Sequence, residues 1–314
     1  MILILLFVGG KMKGRLRFSI ILPLCLLVCW SLYYSFYNGH NNKEKIGLST
    51  EEENYGMSLK FWDDTHSLTP YQLTHIIQSE EKYKPNIEIT NNYPESNKYR
   101  IFFFMDYQQI SVEINKKKVL YLDVDLNPFE KESMMFTLPN ITEGRHDFVI
   151  VVAKNYNNPL KVDETTYSNY LIRRTTIIKG KDADPNIKFT TWKNLNKIQS
   201  EPKTLFISQK PTSDISDISN ISKPNFWLNI PTDQENFAMI GILDGQQIDI
   251  SHNFIENGEF TGYLNIPISI QKTKKQRQNL FIATFNNPFQ RMEDDEGNLI
   301  DFFGFELLNK VDIE

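Results

Sequence analysis

Asp63, Asp64, His66 and His75 bring carboxylates and imidazoles close together along the chain, and these are donor types that hold zinc. The two histidines stand nine residues apart, which shares no helical face, so acids placed at a helix start account for the group without a metal. Asp123, Asp125, Asn127 and Glu130 open like a calcium loop. That loop needs glycine at its sixth position and a glutamate at its twelfth, where this chain has Pro128 and Met134. Asp123 and Asp125 therefore read as alternate residues on the wet face of a strand. Glu293, Asp294, Asp295 and Glu296, ahead of Gly297-Asn298, could face a hard cation, but a solvated hairpin tip explains them equally. No metal is assigned.

Covalent chemistry finds little support. The five histidines are His40, His66, His75, His146 and His252, and no serine sits in a Gly-x-Ser-x-Gly elbow. Both cysteines, Cys25 and Cys29, lie in an apolar stretch near the N-terminus, and no glycine-rich loop cradles a phosphate. The expectation is a protein without catalysis and without a cofactor. Two basic islands, Lys116-Lys117-Lys118 and Lys272, Lys274, Lys275 and Arg277, could touch anionic polymer or lipid heads, although solvated turns also take such charge runs. Trp62, Trp192 and Trp227 could stack on sugars, but in a β protein they serve more often as core.

The positions best placed for recognition come from an internal repeat. Lys84-Pro85-Asn86 recurs as Lys223-Pro224-Asn225, and Asp106-Tyr107-Gln108-Gln109-Ile110 recurs as Asp244-Gly245-Gln246-Gln247-Ile248. Leu138-Pro139 recurs as Ile266-Pro267. The apolar run from Phe148 to Ala153, followed by Asn157-Asn158-Pro159, matches Leu280 to Phe285, followed by Asn286-Asn287-Pro288. The shared order implies two copies of one β unit. The repeated turn positions Asp106, Gln108, Asn157, Asp244, Gln246 and Asn286 are the candidate binding residues. Turn chemistry alone also explains Asp, Asn, Gly and Pro there, and Asp244-Gly245 suits a two-residue hairpin. In an immunoglobulin-like topology both kinds of turn would fall at one end of a sandwich.

These turns need strands to hold them. Beyond Pro85 the hydrophobic period is two, and strands are expected at Tyr99–Met105, Ile110–Ile114, Val119–Val124, Met134–Leu138, Asp147–Ala153 and Tyr170–Ile178. The stretch Pro139-Asn140-Ile141-Thr142-Glu143-Gly144-Arg145-His146 resembles the approach to a late strand in bacterial immunoglobulin-like domains. The resemblance covers one turn and one strand per copy and implies a fold class only. One helix is expected ahead of the strands. Thr69 would cap it, Pro70 would open it and Gln72 would complete a capping box, with Leu73, Ile76 and Ile77 on its apolar face.

Charge and hydropathy place the chain. Lys11, Lys13, Arg15 and Arg17 precede Tyr37 with no acid among them. Removing these four from the 34 basic residues leaves 30 against 39 acids, a formal charge of −9 for the rest. An acidic body argues against nucleic acid. Residues 18–37 carry no formal charge, and 20 residues at about 1.5 Å each span a hydrocarbon core. The cations before the segment and the aromatics Trp30, Tyr33, Tyr34, Phe36 and Tyr37 at its far end predict a signal anchor with the bulk outside.

The expected fold is mainly β, a transmembrane helix followed by two tandem immunoglobulin-like antiparallel β-sandwich domains. The expected parts are a basic cytoplasmic tail (1–17), the anchor (18–37) and a stalk with one short helix (38–84). Repeat 1 (85–180), extra strands and a linker (181–222) and repeat 2 (223–314) follow. The expected function is binding, assembly or adhesion at a bacterial cell envelope, with the membrane and either wall glycan or another membrane protein as partners. An envelope-polymer-modifying enzyme and an exported accessory subunit of a sensor or transporter are the alternatives.

Overall fold

The computed structural model describes residues 55–314 apart from 67, 70–71, 79–81, 157–168, 202–203, 214–224, 234–235, 257–259, 271–277, 292, 294–304 and 314. The expected anchor at 18–37 lies outside these residues, and among the described residues no helix is long and apolar enough to cross a membrane.

The described chain is mainly β. In order come β1 (Met57–Trp62), β2 (Thr74–Ile77), β3 (Asn86–Asn91), β4 (Asn97–Met105), β5 (Gln108–Gln109), β6 (Val112–Ile114), β7 (Lys117–Val119), β8 (Tyr121–Leu126), β9 (Lys131–Met135), β10 (Gly144–Lys154) and β11 (Tyr170–Lys179). Then follow β12 (Thr190–Thr191), β13 (Asn196–Ile198), β14 (Phe206–Ser208), β15 (Asn225–Asp233), β16 (Phe237–Leu243), β17 (Gln246–Gln247), β18 (Phe254–Glu256), β19 (Thr261–Ser269), β20 (Gln278–Asn286) and β21 (Phe305–Ile313).

Among the described residues four larger sheets form the body, and β6 and β7 make a fifth, two-stranded one. An outer sheet β1-β3-β9 faces an inner sheet β2-β11-β10-β4-β5, to which β8 adds by pairing with β4. A second inner sheet β12-β18-β16-β20-β21, with β17 beside β16, faces a second outer sheet β13-β19-β15-β14. Alternation of side chains along the inner strands sorts them into separate cores. Ile101, Phe103, Phe148, Ile150 and Val152 meet Phe61, Ile87 and Ile89 of the first outer sheet. Phe237, Met239, Leu280 and Ile282 meet Leu228, Ile230, Leu264 and Ile266 of the second. The residues between them, Phe102, Phe104, Val149 and Val151 from one inner sheet and Ala238, Ile240, Ile242 and Phe281 from the other, form a third core. The two inner sheets therefore pack on each other, and the layer order is outer, inner, inner, outer. Their strands read as unbroken apolar runs because both faces are buried.

The strand order recurs. β1-β3-β9 corresponds to β14-β15-β19, and β11-β10-β4-β5 corresponds to β21-β20-β16-β17. Pairing also corrects two of the sequence anchors. Phe148 lies opposite Met105 and Leu280 opposite Leu243, so this part of the repeat runs at an offset of 132 residues. On that register Lys154-Asn155-Tyr156 matches Asn286-Asn287-Pro288, and the match of Asn157 to Asn286 is three residues out. The backbone agrees. Asn155 and Asn287 have φ of 49° and 48°, and their N–H groups donate to the carbonyls of Lys98 and Asn236. Pro267 lies opposite Trp227 inside β19, whereas Pro139 lies beyond the end of β9, so the Leu-Pro and Ile-Pro pairs are not equivalent.

Two further expectations give way. The stalk ends before Met57, because β1 already pairs with β3 from Met57 opposite Asn91 to Trp62 opposite Asn86. Where the expected helix would continue, Thr74–Ile77 form strand β2 instead, after a hydrogen bond in which Gln72 N–H donates to the Thr69 carbonyl. β2 runs parallel to β11, where His75 and Ile77 bury while Ile76 faces out. Strand pairing and an alternating burial pattern outweigh a local capping signal.

Candidate functional site

The repeated turns close hairpins. Asp106-Tyr107 joins β4 to β5 and Asp244-Gly245 joins β16 to β17. All four residues have positive φ, as a two-residue hairpin of this hand requires. Glycine meets this at no steric cost, but Tyr107 at φ 64° does not, so its side chain must be held by something else. Asp106 Oδ1 accepts the Asp147 N–H at 3.1 Å and Asp244 Oδ1 accepts the Asn279 N–H at 3.1 Å, the same contact in each half. Gln108 and Gln246 point into solvent. Asn286 ends β20 and offers its carbonyl to Arg174 Nη1 at 2.7 Å. Asn157 lies outside the described residues.

Within one half these turns do not share an end. Met105 lies opposite Phe148 while Tyr99 lies opposite Lys154, so the Asp106 turn and the Asn155 turn sit at opposite ends of the inner sheet. The expectation of one common end fails because β4 and β10 are direct antiparallel neighbours.

The turns meet across the halves instead. Gln247 N–H donates to Gln109 Oε1 at 2.7 Å, and Gln109 N–H donates to Gln247 Oε1 at 2.5 Å. Gln247 Nε2 donates to the Tyr107 carbonyl at 2.8 Å, and Gln109 Nε2 donates to the Gly245 carbonyl at 3.2 Å. Each glutamine closes on the other half's hairpin, and the exchange is reciprocal, as about a local twofold axis. To one side, Gly245 N–H donates to the Tyr156 hydroxyl at 2.9 Å and Asn279 Nδ2 donates to the Tyr156 carbonyl at 3.1 Å. To the other, the Tyr107 ring enters between Phe254, Phe285 and Phe289 of the second half. The sequence singled out the hairpins and, of each pair, the glutamine that faces solvent, while the seam between the halves is made by the other one. The signal for the second glutamine was strand parity, since Gln108 and Gln109 must face opposite ways.

A buried carboxyl group anchors this seam. Asp147 is fully buried, and its Oδ2 accepts the Tyr107 hydroxyl at 2.6 Å and the Phe289 N–H at 2.7 Å, with Arg174 Nε at 3.5 Å. Burial raises the Asp147 pKa, and the Arg174 guanidinium pulls against it. Burial also raises the Tyr107 hydroxyl, with the Asp147 charge adding to it. Next door, His146 Nδ1 donates to Asp106 Oδ2 at 2.7 Å and Nε2 reaches the Thr142 carbonyl at 3.1 Å. Burial disfavours the charged ring, but Asp106 and Thr142 outweigh it, and the His146 pKa is raised.

The sequence's candidate metal residues are dispersed. His75 is buried in β2, stacks on Phe61 at 4.9 Å and shares a hydrogen bond with the Tyr83 hydroxyl. Asp64 accepts from Trp62 Nε1 and Asn86 Nδ2 near the surface. Glu293 Oε2 accepts the N–H groups of Leu73 and Thr74 at 3.0 and 2.8 Å. Asp123 grips Arg100 through two hydrogen bonds of 2.7 and 2.8 Å, and Asp125 stays exposed. Among the described residues no three histidine, cysteine, aspartate or glutamate side chains gather as a metal would need.

No family model and no curated protein matches the chain. Among solved structures it is similar to the CARDB domain of PF1109 from Pyrococcus furiosus, crystallised with di-metal ions, at 13% identity and a TM-score of 0.26, over 40% of this chain and 88% of that one. It is also similar to the YadV chaperone, at 11% identity and a TM-score of 0.25, over 80% of this chain and 99% of that one. Red sea bream transglutaminase matches at 8% identity and a TM-score of 0.24, over 81% of this chain and 31% of that one.

Proposed function

We propose that the protein is a membrane-anchored binding protein of the cell envelope, without catalysis. Its external part would be two immunoglobulin-like β-sandwiches locked back to back. The strand orders support the sandwich reading. β1, β3 and β9 take the places of strands A, B and E, and β4, β10 and β11 those of C, F and G. In the second half β13 stands beside the E-like strand β19, where strand D belongs, although it comes before β14 in the chain.

The observation that carries the functional reading is the reciprocal glutamine seam with its own aromatic core. It makes one body of the two halves and uses their inner faces for docking. The outer surfaces are left to meet a partner. The apolar segment at 18–37, preceded by four cations, would hold this body at the outer membrane face. The test is protease added to intact protoplasts. Epitopes after residue 60 should be digested and an N-terminal epitope should survive. The reverse pattern overturns the topology, and release of the external part into the medium overturns the anchor. Capture from detergent-solubilised membranes then separates an envelope polymer from a protein partner.

A further inference from the structure

We propose that a lysine-flanked groove in the first half binds an anionic glycan, a hydroxyl-rich chain bearing carboxylate or phosphate. The groove holds about 510 Å³, between the β6–β7 hairpin and the segment that follows β9. Small-ligand pockets occupy about 300–1,000 Å³. Lys82 and Lys118 line it, with hydroxyl and amide groups from Ser111, Thr137 and Asn140 and apolar surface from Ile110 and Leu138.

Three observations favour this ligand. The first is charge. Lys116 and Lys117 stand beside Lys118 on the hairpin, and all three are exposed, as is Lys82. Among the described residues none of the four lies within ion-pair distance of a carboxylate, whereas Lys60, Lys98 and Lys131 do. A concentration of unpaired cations on a body of charge −9 is a local attractor for anions.

The second is the lining. Among the described residues its one carboxylate, Glu113, is held in place by its backbone, which exchanges two 2.9 Å hydrogen bonds with Thr137. A carboxylate beside two ammonium groups fits a ligand that alternates charge with hydroxyls, the hydroxyls donating to Glu113. Among the described residues the lining has no aromatic side chain on which a base could stack, which disfavours single-stranded nucleic acid.

The third is asymmetry. The halves correspond as far as Ile110 and Ile248, whose N–H groups donate to the carbonyls of Phe103 and Gly241. Beyond that point the first half builds the β6–β7 hairpin with its lysines, while residues 248–253 of the second half form no strand. The hairpin that walls the groove is therefore an addition to one copy.

The proposal rests on the extracellular binding reading, and its test is separable from the topology test. The full chain, in nanodiscs of neutral lipid, is titrated with tetragalacturonate, with a glycerol-phosphate oligomer and with a neutral cello-oligosaccharide of similar length. Vesicles containing phosphatidylglycerol form the fourth arm. Binding by at least one anionic oligomer is expected, weakening as salt rises. The Lys82→Gln/Lys118→Gln variant should lose roughly tenfold or more in affinity, the scale of two lost hydrogen bonds from charged donors. A Lys98→Gln/Lys131→Gln variant, equal in charge change but away from the groove, should bind within about twofold of the parent, as screened surface charges do. The melting temperature of both variants should match the parent. Equal affinity of the groove variant and the parent, equal capture of the neutral oligomer, or capture by the vesicles alone overturns the proposal. If the anionic oligomers bind but the protoplast test places the body inside, the groove stands and the extracellular reading falls.

Discussion

Tyr107 offers the sharpest test of the seam. It occupies a left-handed backbone position where its counterpart is Gly245, and it is 0% exposed. A bulky residue in that region costs about 1–2 kcal/mol locally, so the surroundings must return more than that. Its hydroxyl makes one of the hydrogen bonds to the buried Asp147 carboxylate. Replacing it in Tyr107→Phe keeps the ring among Phe254, Phe285 and Phe289 and removes only this bond, for an expected loss of about 1.5–3 kcal/mol. Tyr107→Ala also empties a site in the third core, where removal of an aromatic ring costs about 3–5 kcal/mol. Urea unfolding of the full chain, followed by fluorescence and circular dichroism, reads both. The parent should unfold in one transition, because the halves share a core. The Tyr107→Phe variant should keep one transition at a lower midpoint. The Tyr107→Ala variant should separate the two probes into two transitions. A change below about 0.5 kcal/mol for Tyr107→Phe, the usual size for a surface substitution, would refute the claim that Asp147 depends on this hydroxyl.

Three other outcomes follow from the same geometry. Gln109→Ala and Gln247→Ala should each destabilise by about 1–2 kcal/mol, and the double variant by clearly less than their sum, since each residue's bonds end on the other's hairpin; strict additivity in a double-mutant cycle counts against the reciprocal pair. The folded His146 pKa is raised, so its contribution to stability is fully present below the unfolded value of about 6.5 and is lost as pH rises through the folded value. The stability gap between the parent and His146→Gln should therefore narrow as pH climbs from 6 to about 9, and a gap independent of pH would remove the charged pair with Asp106. A fragment of residues 181–314 should self-associate on light scattering, because separation exposes Ala238, Ile240, Ile242 and Phe281 on its inner sheet; a stable monomer contradicts the shared core.

Much of the architecture was legible because strands announce themselves by alternation and turns by their residue types. The Asp106 and Asp244 hairpins and the wet placement of Asp123 and Asp125 follow from local chemistry. What was not legible is relational. Asn-Asn-Pro occurs in both copies, and only strand pairing shows that Asn155, not Asn158, matches Asn287. The sequence from Thr69 has the residues of a helix start, and only the neighbouring strand β11 draws Thr74–Ile77 into extended pairing. The apolar runs at Ile101–Met105 and Phe148–Ala153 signal a doubly buried strand, a pattern that a lone two-layer sandwich does not need. Taken at face value, those runs require a further layer, and the second half supplies it.

Repetition and divergence therefore mark different things in this chain. The repeated residues with the clearest partners, Asp106 and Asp244 and Gln109 and Gln247, serve the hairpins and the seam. Where a surface docks onto its own copy about a local twofold, a residue that meets its own counterpart is matched in both halves, as Gln109 and Gln247 are. A ligand site is under no such constraint. Residues present in only one copy, at positions the seam does not touch, are free to specialise. The lysine hairpin is such a place, because it interrupts the correspondence immediately after Ile110, within a few residues of Gln109. Moving Lys116-Lys117-Lys118 into the second half, by grafting residues 111–120 in place of 249–253, tests this directly. If the hairpin and its surroundings are enough, the grafted chain should bind a second equivalent of the anionic oligomer while the seam and the melting behaviour stay intact. A stoichiometry still at one would show that Lys82 and the segment after β9 are required as well.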